Sequence, residues 1–235
     1  ALEKKYTNND QLNLALSFLQ SLPESYLNDN AALQVAANIH HLINLTQDHS
    51  IQFDLIDDQE NVASRYHLRI YQQGQLIALS DILPILENLG LRTLSEETFV
   101  VKKEDKIYYI IDFSVVIDKI QKNNDQIKSI FIEALQRILG NKAENDAFNK
   151  LIIAGGISID HIVVLRAYCK YLGQCKYGYS QAFIEKTMID NITITKQLLN
   201  LFYALHDPSQ SNTTSLSNEL SIETEIEKQL SNVAS

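Results

Sequence analysis

A chain of 235 residues that is 45% hydrophobic can bury a real core, in one large domain or two small ones. With 20 basic against 29 acidic residues the net charge is −9, and an acidic chain repels phosphate backbones, which makes it a poor general nucleic-acid binder unless a local patch overrides the mean. No run reaches the roughly 18 consecutive apolar residues of a membrane span. ALEKKYTNND carries no signal-peptide core, and Cys169 and Cys175 are too few for a secreted disulfide scaffold, so a cytoplasmic location is expected. Ala1 stands where a complete reading frame has Met, and the sequence reads as a piece of a longer polypeptide.

DQLNLALSFLQSL (10–22) places Leu12, Leu16, Leu19 and Leu22 at helical spacing, with Asp10 as N-cap and Pro23 as the stop. Residues 30–45 read as a second amphipathic helix with Leu33, Ala36, Ala37, His40 and Ile43 on one face. The period then changes to two. IQFDLID (51–57) and RYHLRIY (65–71) alternate as half-buried strands do, joined by the polar loop DDQENVAS. After a turn at Gly74, LSDILPILENLG (79–90) reads as a helix with Ser80 as N-cap and Gly90 just past its end. ETFVVKK (97–103) and KIYYIIDFSV (106–115) read as a hairpin closed by Glu104–Asp105.

Beyond about residue 118 the pattern is helical only, with helices expected at 125–140, 144–154, 158–173, 180–190 and 192–206, the last closed by Asp207–Pro208. SQSNTTSLSN (209–218) reads as a linker and ELSIETEIEKQL as an isolated tail helix. Four segments are therefore expected: an N-terminal helical segment 1–29, an α+β domain 30–117, a helical domain 118–208, and a linker and tail 209–235. Residues 30–115 follow the order α-β-β-α-β-β, a cyclic permutation of the ferredoxin-like β-α-β-β-α-β unit. A four-stranded antiparallel sheet with its two helices on one face would bury both patterns.

Chemistry-bearing motifs are sparse. No glycine-rich dinucleotide fingerprint, phosphate loop or nucleophile elbow occurs, and AGGIS (154–158) reads as a turn between helices. Cys169 and Cys175 lie six apart without a second ligand pair, and His40 and His41 point about 100° apart on a helix, so no metal site is read from either pair. LRAYCKYLGQCKYGYSQAFIEK (165–186) mixes bases and aromatics. On a helix its Leu165, Tyr168, Cys169 and Leu172 form a packing stripe, Arg166, Lys170 and Gln174 fall mostly toward solvent, and Ser180 caps the next helix after Gly173 and Gly178.

Three stretches carry a family resemblance: RYHLRIYQQGQLIALSDILPILENLGLRTLSEETFVV (65–101), ENDAFNKLIIAGGISIDHIVVLRAYCKYLGQ (144–174), and YSQAFIEKTMIDN (179–191) with LFYALHDP (201–208). Together they cover most of 60–208, and LPESYLNDN (22–30) extends them. They resemble the large bacterial NAD-specific glutamate dehydrogenases, departing at Gly156 and Ile159, where that family more often shows Leu and Trp. The resemblance implies an enzyme that oxidises L-glutamate with NAD and water to 2-oxoglutarate, ammonium and NADH. Its catalytic and nucleotide-binding domains would lie C-terminal to this region. It assigns no catalytic, cofactor-binding or metal residue here, so NAD belongs to the parent enzyme and the segment itself is expected to be inactive. The split unit is similar to a regulatory amino-acid-binding domain of the ACT type, whose ligand often sits where the first strand turns into the first helix. Here that turn is QQGQLIALSD (72–81), which makes Gly74, Gln75, Ser80 and Asp81 the candidate small-ligand residues; an ordinary tight turn is the alternative. The implied partners are the remaining domains of the same enzyme, further copies in a homo-oligomer, and an amino-acid effector. The rival reading is an interaction scaffold that binds no ligand.

Overall fold

A computed structural model describes residues 2–6, 8–46, 49–57, 64–117, 125–206 and 212–233. The chain forms two compact units: Ala1–Pro84 with Leu91–Asp118, and Ile85–Gly90 with Lys119–Ser235. The expected hairpin loop between residues 57 and 64, and Asp207–Pro208, fall largely or wholly outside the described residues.

The first unit opens with α1 (Leu2–Lys5), α2 (Asn9–Ser21), α3 (Glu24–Asp29) and α4 (Ala32–Ile43). Asn8 caps α2, its side-chain oxygen accepting from the Asp10 N–H at 2.9 Å, so Asp10 lies inside the first turn instead of capping it. The buried face of α4 is Val35, Ala36, Asn38, Ile39 and Leu42, while Leu33 is 79% exposed. That stripe lies to one side of the expected one, because Asn38 is drawn inward by two tyrosine hydroxyls and rotates the helix with it.

Four strands follow: β1 (Ile51–Asp57), β2 (Arg65–Gln73), β3 (Arg92–Lys103) and β4 (Lys106–Val116), with α5 (Leu79–Asn88) between β2 and β3. The sheet order is β1-β2-β4-β3, antiparallel throughout. Because β2 and β3 both run against β4, they are parallel to each other, and α5 is the crossover of a split β-α-β unit. The fold class is thus α+β, with a permuted ferredoxin-like sheet. β3 begins five residues earlier than its apolar alternation shows: residues 92–97 are mostly exposed, and pairing with β4 extends the strand without a buried stripe to mark it.

One sheet face contributes Tyr71, Phe99, Val101, Tyr108 and Ile110 to a core with Ala15, Phe18, Tyr26, Val35, Ile39 and Leu42 of α2–α4. The other face carries Tyr66, Leu68, Ile70, Ile111, Phe113 and Val115, all 2% exposed or less. No residue of α5 belongs to the first core, so the two helices of the split unit do not share that face as the periodicity predicts. The helices α2 and α3 pack on that face beside α4.

The second unit holds α6 (Asp125–Leu139), a 3₁₀ turn (Ala147–Asn149), α7 (Lys150–Gly155), α8 (Ile159–Gln174), α9 (Gln181–Asp190), α10 (Ile192–His206) and α11 (Asn212–Leu230). Where one helix is expected over 144–154, Asp146 caps a 3₁₀ turn by accepting from the Phe148 N–H, and α7 follows. Gly156 takes φ 61° and its N–H bonds back to the Leu151 carbonyl, which ends α7. Ser158 and Ser180 cap α8 and α9. Residues 212–218, expected as linker, are helical backbone within α11, which packs against α10 and buries Ile226, so the tail helix is not isolated. Its apolar positions start late, which hides its first turns from a periodicity reading.

Candidate functional site

The turn at Gly74 is built as expected from a glycine with positive φ. Gly74 has φ 93°, a Cβ there would meet nothing within 4 Å, and its N–H donates to the Ile107 carbonyl at 2.9 Å. Gly74, Gln75, Ser80 and Asp81 are all exposed. Ser80 is not the N-cap: α5 begins at Leu79, and the Ser80 hydroxyl donates to the Asp81 carboxylate at 3.2 Å. The N–H groups of Asp81 and Ile82 already bond the Ala78 carbonyl. Pro84 therefore falls past the first turn and leaves the Ser80 carbonyl without its i+4 donor. A carboxylate placed here would face the Asp81 charge and few open donors.

A second constellation lies across the sheet, and the sequence reading missed it. Register aligns Ile56, His67, Ser114 and Ser95 in one row and Asp54, Arg69, Asp112 and Glu97 in the next. Arg69 is 4% exposed. Its Nε donates to Asp112 Oδ2 at 2.7 Å and its Nη2 to Asn30 Oδ1 at 2.8 Å; the Gln34 amide oxygen, turned toward the guanidinium, accepts from Nη1 and Nη2 at 3.0 Å. Asp112 Oδ1 pairs with His67 Nδ1 at 2.8 Å. Burial pushes the Asp112 carboxyl up, but the His67 hydrogen bond and the Arg69 charge outweigh it and hold its pKa below the ordinary value. Burial likewise works against the Arg69 cation, and Asp112 overcomes it. Above the two rows opens a cleft of about 400 Å³ lined by Asp29, Asn30, Gln34, Ile56, Asp57, Arg65, His67, Arg69, Ser95 and Ser114. The available signal was Arg65, His67 and Arg69 at i, i+2, i+4 on a strand, which puts three basic side chains on one sheet face.

Beside it, the Tyr71 hydroxyl donates to Asn38 Oδ1 at 2.6 Å and Asn38 Nδ2 donates to the Tyr26 hydroxyl. Burial pushes the Tyr26 pKa up to about 12 and the Tyr71 phenol well above its ordinary range. His41 stacks on Tyr71 with ring centroids 4.4 Å apart, and His40 pairs with Tyr6 and Asn44, so the adjacent histidines serve separate contacts.

In the helical unit, the 165–186 stretch is packing and clamp. Leu165 and Cys169 are buried, as the stripe predicts, but Tyr168 is 47% exposed. Arg166, expected toward solvent, is 4% exposed. Its Nε donates to Asp146 Oδ2 at 2.7 Å, and Nη2 reaches Asp146 Oδ1 at 2.9 Å and Asn149 Oδ1 at 2.6 Å. A bidentate carboxylate and a carboxamide repay its desolvation, which helical spacing alone does not reveal. Lys170 pairs with Glu144 at 2.6 Å. Both cysteines are free, and burial, with Glu185 and Asp146, raises the Cys169 thiol. Among the described residues no group of three His, Cys, Asp or Glu could hold a metal, and no helix is long and apolar enough to cross a membrane.

The permuted sheet followed by a helical array is the architecture of an ACT-type domain joined to a helical motif. Residues 50–127 match the family model "Glutamate dehydrogenase, ACT3 domain" and residues 143–208 match "Glutamate dehydrogenase, helical motif 3". The chain is 35% identical over 203 residues to the NAD-specific glutamate dehydrogenase of Halomonas elongata, covering 86% of this chain and 13% of that protein. It is 29% identical over 192 residues to the protein of that name in Pseudomonas aeruginosa, covering 81% of this chain and 12% of the relative. With the Mycobacterium tuberculosis protein of that name the identity is 28% over 209 residues, covering 86% and 13%. The chain belongs to this glutamate dehydrogenase family and spans only about an eighth of the length of the relatives it matches.

Proposed function

We propose that the chain is a non-catalytic regulatory and assembly segment of an enzyme that oxidises L-glutamate with NAD and water to 2-oxoglutarate, ammonium and NADH. One observation carries this reading: an ACT3 match and a helical-motif match stand in order along a chain whose relatives bear that enzyme's name and are far longer. On this reading NAD is bound elsewhere in the whole protein, and the partners of this segment are the other domains and further copies of the enzyme.

For an effector, the Arg69 cleft fits better than the Gly74 turn. Its lining carries both signs of charge, Arg65 against Asp29 and Asp57, and the hydroxyls of Ser95 and Ser114, a lining matched to a small zwitterion such as an amino acid. Gly74, Gln75, Ser80 and Asp81 form the second position, weakened by the Asp81 carboxylate at the helix start. The scaffold reading draws its support from Arg69, whose donors are already committed to protein acceptors.

Calorimetric titration of the chain with common amino acids at millimolar concentration separates these readings. Saturable heat that disappears in Arg65→Ala supports the cleft, and heat that survives there but is lost in Asp81→Ala moves the site to the turn. No heat with any amino acid leaves the scaffold. The full-length protein is expected to form NADH from glutamate and this chain to form none; turnover by the chain overturns the non-catalytic assignment.

A further inference from the structure

The helical unit holds a cavity separate from both the turn and the cleft. Its volume is about 280 Å³, and twelve residues of α8, α9 and α10 line it, none of them charged. Leu165, Cys169 and Leu199 are 7% exposed or less and form its floor. Leu172, Ile184 and Met188 are partly buried walls, and Tyr168 and Leu205, 47% and 50% exposed, form the rim. The Tyr168 and Phe202 rings meet edge to face with centroids 6.0 Å apart, so the lining is aromatic on one side and aliphatic elsewhere. A protein interior is close-packed, and a void of this size forfeits contacts that its lining would otherwise make. Met188 is held back from closing it: the buried Thr195 hydroxyl donates to the Met188 carbonyl at 2.8 Å and meets the Met188 sulfur at 3.4 Å.

We propose that this cavity binds the aliphatic chain of a small uncharged molecule, which gives the helical unit a ligand site of its own. The inference rests on neither the amino-acid effector nor the assembly reading. Three observations select that chemistry. Without a charged or amide side chain, the lining has nothing to repay the desolvation of an ionised ligand. Burial, and then the negative charges of Glu185 and Asp146, raise the Cys169 thiol, so the floor also repels an anion. Lining residues run from Val164 to Leu172 on α8 and from Leu198 to Leu205 on α10, about 10–12 Å along each helix at about 1.5 Å per residue. With bonds of about 1.5 Å, an extended chain of roughly eight to ten carbons spans that distance. An apolar cavity of about half this volume already takes up benzene. A helix laid along α8 and α10 would need an open trough, whereas Ile184 and Met188 of α9 close the third side.

Cys169 supplies the readout, because it lines the floor while Cys175 is exposed and outside the lining. The 235-residue chain is treated with a thiol reagent in the presence of straight-chain alkanols of increasing length. A bound alkanol favours the closed helical unit and is expected to slow Cys169 by about tenfold at roughly nine times its dissociation constant, with Cys175 unchanged as the internal reference. Each added methylene is expected to tighten binding by roughly fourfold. That gain is expected to stop at about ten carbons, where the chain fills the space between the helices. Leu172→Phe and Ile184→Phe each add bulk to a wall, one from α8 and one from α9, and each is expected to abolish the protection in a chain that still melts cooperatively. Two fillers on separate helices keep the test decisive where one of them does not fold. No protection by any alkanol, affinity that climbs without a break through the whole series as on an open apolar surface, or filled variants protected as well as wild type overturns the proposal.

Discussion

Asn38 shows how one side chain sets the geometry of a layer. It is fully buried and bridges two buried phenols, so its removal strands both hydroxyls. Asn38→Ala is expected to cost about 2–4 kcal/mol in denaturant unfolding, more than a change of its size on the surface. Asp112 gives a pH signature with a defined sign. Its pKa in the folded chain lies below the ordinary 3.8, so its contribution is fully present above that value and is lost as pH falls through the lower, folded value. The stability difference between wild type and Asp112→Asn should therefore shrink on acidification below about 4. Neither residue announces itself in the sequence. Asn38 sits in an otherwise apolar run, and the partners of Asp112 are 43 and 45 residues away.

Elements were more legible than their faces. Periodicity placed the four strands and most helices, because alternation and 3.6-residue spacing are local properties. It failed where tertiary contacts decide: the exposed start of β3, the rotated face of α4, and the inward turn of Arg166. The candidate ligand turn was legible as a turn, since Gly74 takes positive φ, but the cleft was not, since its lining comes from α3, α4 and all four strands. The corner after α7 also has a local cause. Gly156 holds φ 61°, where a branched side chain is strained, and a Cβ on the preceding Gly155 would come within 3.0 Å of Ile157. Gly156→Leu is expected to lower stability by about 1 kcal/mol, read as a lower midpoint in thermal melting.

For the whole molecule, the two cysteines report folding without any substitution. Cys175 is exposed, while Cys169 is buried in the helical unit with its thiol raised by burial. Native chain should react with a thiol reagent once quickly, and a second time only at the rate at which the helical unit opens; two fast thiols would show that α8 does not pack as described. On the proposed effector reading, Arg65→Ala in the full-length protein is expected to shift the response to an amino acid while leaving kcat in its absence unchanged, since nothing in this segment is assigned to the chemical step.

The polar row on β2 has a further consequence for how the sheet assembles. Arg69 and His67 alternate with Leu68 and Ile70, and both faces of the strand are covered. A slip of one residue would drive a guanidinium into the apolar layer and set aliphatic side chains against Asp112 and Asn30 in its place, reversing every environment along the strand at once. Asp112 and Asn30 then act as an address label: they accept β2 in one alignment and reject its neighbours. A strand with fewer charges would bury as much surface, but it would tolerate several alignments and could settle in any of them.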